Sequence, residues 1–191
     1  MKSKEKILDI SFLALCVLIA LISLNRLAYL CFSWWPIGVF GLSGVAAAIL
    51  TIGSWLLVAF VVWKYKAAEF GLAPCIFLLL ADVALMTQAG AGARSLTAGI
   101  LLLLSDLSLA VMWAASTEIS SQLAKKLIYL PAAIALAALI VALIRAGIDG
   151  GASAALRYVI TCPDRVLRIA GVQLLCCWLY RLSLDRLGSD Y

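Results

Sequence analysis

Asp82 and Asp106 are carboxylates in positions that carboxylates rarely occupy. The first interrupts the run Leu78-Leu79-Leu80-Ala81-Asp82-Val83-Ala84-Leu85, and the second the run Leu102-Leu103-Leu104-Ser105-Asp106-Leu107-Ser108-Leu109. If these runs cross a membrane as helices, an ionised group at mid-depth costs at least ~2.5 kcal/mol unless it is protonated, paired or turned toward a wet cavity. A polar, turn-forming link from Gly90 to Ser95 separates them, so the two runs read as a hairpin. At 1.5 Å of rise per residue, Asp82 lies about 12 Å and Asp106 about 16 Å from the ends of that link. Adjacent antiparallel helices therefore bring them to nearly one depth. Two carboxylates so placed can share a proton, because like charge resists double ionisation. They can also bind an ion or a charged substrate with the Ser105 hydroxyl alongside, or make structural hydrogen bonds to serines or arginines of the bundle.

The arginines form a second set. Arg157, Arg165, Arg168 and Arg26 are candidates for contact with anionic headgroups or an anionic substrate, since a guanidinium offers an oxyanion two parallel donors. Arg157, Thr161, Asp164 and Arg168 follow one another at helical spacings, and would form one stripe if Pro163 kinked a helix instead of ending it. Asp164 beside Arg165 and Arg168 reads as charge compensation. Other chemistry finds no support. The absence of histidine excludes histidine-based acid–base catalysis, histidine-ligated haem and most zinc-hydrolase arrangements. No serine occupies G-x-S-x-G, and there is no P-loop or dinucleotide fingerprint. Cys16, Cys75, Cys176 and Cys177 lie in apolar runs, where a thiol behaves as a small hydrophobe. Cys31 and Cys162, near two span ends, are candidates for a bridge. No cofactor, metal site or catalytic residue is expected.

What must position these residues is a membrane bundle. The chain is 65% hydrophobic and 13% charged, with a mean hydropathy of +1.11, whereas a soluble domain is about half apolar and a quarter charged. A span needs about 20 helical residues, so 191 residues hold six spans and no sizeable domain outside them. The expectation is an all-α, polytopic transmembrane helical bundle forming a single integral membrane domain over 1–191. Its spans are placed at about 7–32, 36–63, 70–89, 96–115, 127–144 and 166–182, with an amphipathic interfacial segment before the last. Five spans is the alternative, because the last carries Arg168, Gln173 and Arg181. Pro36 is expected to open the second span, and Ser116 to Gln122 to form a return loop. Gly41, Gly44 and Ala48 give the second span a face of small residues for close helix packing, against the alternative of a glycine-lined passage.

The formal charge of +5 is spread over span ends and forms no tract suited to nucleic acid. All seven lysines, at 2, 4, 6, 64, 66, 125 and 126, fall on one side in this scheme, while the other side holds only arginines. That bias puts both termini in the cytoplasm of a multi-pass protein of the plasma membrane. Expected partners are membrane lipids, further copies of the chain or other membrane subunits. The expected function is transport of an ion or small charged solute, alone or as a transporter subunit. The alternative is a non-catalytic scaffold in a larger assembly. A lipid-modifying enzyme would need a pocket where carboxylates and the outer arginines converge.

Overall fold

A computed structural model describes residues 2–32, 39–64, 72–87, 96–119, 121–161 and 163–189. The described residues are all α: α1 (Lys2–Phe32), α2 (Val39–Trp63), α3 (Leu72–Thr87), α4 (Leu96–Ala114), α5 (Ser121–Leu127), α6 (Leu130–Thr161) and α7 (Pro163–Ser189). Pro74, Pro131 and Pro163 fall in the opening turns of α3, α6 and α7, where a missing N–H leaves no helical bond unmade. Pro163 therefore starts a helix and does not kink one. Pro36 lies outside the described residues, as do the links at 65–71 and 88–95.

Four stretches are long and apolar enough to cross a membrane: Gly44–Trp63, Leu96–Thr117, Gln122–Ile160 and Pro163–Leu184. Asp9–Asn25 and Leu72–Met86 are shorter apolar helices. The outward faces are as apolar as the core; Ile49, Leu80, Leu107 and Ile140 are all about half exposed. A surface of that kind suits a lipid solvent and not water.

The helices close a ring. Each packs on the next from α1 to α4, α4 packs on α6, α6 on α7, and α7 returns to α1 while also touching α4. Two serines stitch neighbours together, Ser54 Oγ donating to the Pro74 carbonyl and Ser105 Oγ to the Pro131 carbonyl, each at 2.8 Å. Gln173 Nε2 on α7 likewise donates to the Ile128 carbonyl at 3.3 Å.

Those last two bonds fix the depth of α6. Residues 128–131 lie level with the middle of α4 and α7, although α4 runs on past Asp106 to Ala114 and through a π-helical turn to Ile119. Helix α5 climbs back into the bundle to reach that level, with Ala124 fully buried. A plain return loop over 116–122 is thus corrected. Ser116 and Thr117 satisfy their hydroxyls on the Met112 and Trp113 carbonyls one turn back, which lets helical backbone continue where polar residues suggest a loop.

Helix α6 breaks at Gly150 (φ −147°) and Gly151 (φ 74°), the latter in the left-handed region that glycine enters without strain. Beyond the break, residues 152–161 form a second limb with Leu156 and Ile160 exposed. This limb occupies the place of the expected interfacial segment.

Candidate functional site

Asp82 comes from α3, Asp106 from α4 and Arg168 from the second turn of α7. The ring closes so that α7 reaches α4, and Arg168 lands between the two carboxylates. Its Nη1 donates to Asp82 Oδ1 at 3.1 Å and its Nη2 to Asp82 Oδ2 at 2.9 Å, a two-pronged pair. Nη2 also donates to Asp106 Oδ1. The three side chains are 12%, 2% and 0% exposed for Arg168, Asp82 and Asp106 respectively. Two acids and one base leave the group with a formal charge of −1. Three charges removed from water are tolerable only through their mutual attraction and hydrogen bonds. One acceptor in the group is unused: Asp106 Oδ2 is buried with no hydrogen-bond partner among the described residues, and the same holds for Arg168 Nε and Trp55 Nε1.

A cavity of about 50 Å³ adjoins this group. Ser23, Thr51, Asp82, Asp164, Arg165 and Arg168 supply its polar wall. The apolar wall includes Trp55, with Gly44, Ala47 and Ala48 from α2 and Ala135 and Ala138 from α6. By the order of these residues along their helices, the cavity lies in one half of the bundle. Ser23 and Asp82 come late in α1 and α3, which run one way. Gly44 to Thr51 and Asp164 to Arg168 come early in α2 and α7, which run the other.

The opposite half is solid. Phe12 and Cys16 of α1, Val58, Val61 and Val62 of α2, Cys75 and Leu78 of α3, Met112 and Trp113 of α4 and Val172, Leu175, Cys176, Trp178, Leu179 and Leu182 of α7 belong to one buried cluster. At the far end of that half, Arg181 pairs with Asp9 at 2.9 Å and joins α7 to α1. Among the described residues the bundle therefore has a charged cavity toward the N-terminal end of α7 and a packed core toward the other end.

Among the arginines, Arg168 stands with the aspartates. Arg165, also on the cavity wall, donates to the Tyr158 hydroxyl and lies 5.4 Å from that ring's centroid. Arg157 is exposed on the second limb of α6. The side chain of Arg26 lies outside the described residues, as do Cys162 and the side chain of Cys31. Ser105 is buried on α4 and bonds Pro131 instead of either aspartate. Gly44 and Ala48 line the cavity; Gly41 lies on α2, and its surroundings are outside the described residues. No cluster of three or more metal-ligating side chains occurs among the described residues.

What sequence reading missed is the partner of the two aspartates. Arg168 is 86 residues from Asp82 and 62 from Asp106, and its neighbours Arg157 and Arg165 look equivalent in sequence. The available signal was an arginine in the first turns of an otherwise apolar helix, which needs an inward partner. Trp55, Thr51 and Ser23 carried no signal at all. No protein-family model matches this chain, and no curated protein or solved structure matches it either.

Proposed function

We propose that this is a six-span membrane protein that binds and translocates a small charged solute, with Asp82, Asp106 and Arg168 as the group that holds it. The six spans are α1, α2, α3, α4, the α5–α6 unit and α7, with both termini cytoplasmic in the plasma membrane and the cavity in the outer half. The observation that carries the reading is the pairing of Arg168 with both aspartates beside the cavity. A bundle that needed only stability would do as well with apolar residues there, since replacing buried ion clusters by well-packed hydrophobes is often neutral or stabilising. Ionisable groups inside spans mark solute and ion paths more often than other positions do. The one-sided cavity is the shape expected of one state of an alternating-access cycle.

A second reading has one observation in its favour. Asp82 and Asp164 share the cavity wall with Arg165 and Arg168, the convergence that a lipid-headgroup site requires. Flux measurement in proteoliposomes separates the readings. Vesicles loaded with a pH indicator, and then with radiolabelled cationic and anionic solutes, are compared for the natural protein, Asp82→Asn and Asp106→Asn. Transport predicts flux that either substitution abolishes while the purified variant stays folded. No flux under any gradient, with the variants losing only thermal stability, contradicts it and leaves a scaffold or headgroup site.

A further inference from the structure

We infer that the cavity takes a primary ammonium group. This assignment rests on the solute-binding reading above and names its substrate class. Charge is the first argument. The cavity wall carries Asp82, Asp164, Arg165 and Arg168, and Asp106 stands behind Arg168. With all five groups ionised, three carboxylates against two guanidinium groups leave one formal negative charge beside the cavity. One positive charge neutralises it. An anion would double the imbalance, and a divalent cation would reverse it.

Coordination is the second argument. A bare metal ion needs six to eight oxygens, or near-octahedral geometry, to replace its water. This wall offers two carboxylates, that of Asp82 already held by Arg168, and the hydroxyls of Ser23 and Thr51; two guanidinium groups, an indole and aliphatic side chains make up the rest. The Thr51 hydroxyl already donates to the Ala47 carbonyl at 2.8 Å, so toward the cavity it can act only as an acceptor. These oxygens are too few to strip a metal of its water, and they suit a group that brings its own donors. An ammonium has three. Asp106 Oδ2, buried without a hydrogen-bond partner among the described residues, is one more acceptor in this neighbourhood, alongside the donors Arg168 Nε and Trp55 Nε1 that also lack one there.

The walls are the third argument. Trp55 lines the cavity together with aliphatic side chains that include Ile19, Ala47, Leu85 and Ala135. Indole and alkyl surface favours an organic cation over a strongly hydrated inorganic one. A space of about 50 Å³ accommodates an ammonium and a short stretch of carbon chain. The group can arrive on a free amine or as the amine headgroup of a lipid.

The full chain, reconstituted in nanodiscs of phosphatidylglycerol, tests the assignment through thermal unfolding. Propylammonium chloride is compared with sodium chloride and sodium propionate at equal ionic strength. Saturable stabilisation by propylammonium alone is expected. It should be lost in Ala138→Leu, which fills the cavity and leaves the ion cluster intact, and in Asp82→Asn. In nanodiscs containing phosphatidylethanolamine, prior stabilisation that blocks the propylammonium response identifies the lipid headgroup as the source. An unchanged response identifies a free amine. Both outcomes support an ammonium site. An equal response to sodium, a response to propionate, or no propylammonium response in protein that still transports a solute overturns it. Propylammonium binding without translocation in proteoliposomes keeps the ammonium site and removes the transport reading instead.

Discussion

At Arg168 three carboxylate contacts replace the water that the guanidinium gave up on burial. Removing the arginine strands two carboxylates, so Arg168→Met should destabilise the fold by about 3–5 kcal/mol, read as thermal unfolding in detergent. Arg168→Lys should recover only part of that loss, because an ammonium cannot make the two-pronged contact with Asp82 while also reaching Asp106. Full recovery by lysine would mean that charge alone matters here. Ser105 is a milder case. Its hydroxyl ties α4 to α6 at Pro131, and Ser105→Ala should cost about 1 kcal/mol in the same assay without affecting flux. At this scale the sequence was half legible. Asp82 and Asp106 stood out because a carboxylate in a leucine run is an anomaly on any reading. Arg168 did not stand out from Arg157 and Arg165, since the break in α6 and the rotation of α7 about its axis together decide which arginine reaches the aspartates.

Helix α7 reaches the centre of the bundle because of Gly171. A β-carbon there would stand 2.5 Å from Cη2 of Trp55 and 3.2 Å from Ile19 Cδ1, so α7 can lie against α2 and α1 only with glycine at that position. Gly171→Ala should push α7 outward or Trp55 into the cavity, destabilising the protein by about 1–3 kcal/mol and reducing solute flux. Gly171→Ala combined with Trp55→Phe should recover stability, and no recovery would show that the contact is not the cause. The small residues of α2 were legible as a close-approach face, and Gly44, Ala47 and Ala48 do face inward. What they make room for is the cavity, a distinction that composition does not carry. The level of α6 was not legible either. Polar residues at 116–122 suggested a loop, and only the bonds from Ser105 and Gln173 reveal that α5 climbs back inside.

Over the whole molecule the governing feature is asymmetry, a charged cavity in one half and an aromatic-rich plug in the other. With Cys31, Cys162 and Cys177, the last being the exposed thiol among the four described cysteines, replaced by serine, Ser23→Cys should react with a membrane-impermeant thiol reagent from the outer face alone. Reaction from the cytoplasmic face would invert the proposed orientation. Apolar runs made the all-α class plain, because they are a bulk property of the chain. Ring closure and the placement of the cavity depend on helix order and rotation, which no single run encodes. The central claim is that Asp82, Arg168 and Asp106 serve the solute and not the fold. The most direct test is solute flux through the triple variant Asp82→Leu, Asp106→Leu, Arg168→Met, measured in proteoliposomes beside its thermal unfolding. All three charges leave together, so no ion is stranded, and stability should be unchanged or raised by about 1–4 kcal/mol. A folded triple variant that carries no solute is the predicted result. Flux at the natural rate through that variant would contradict the account.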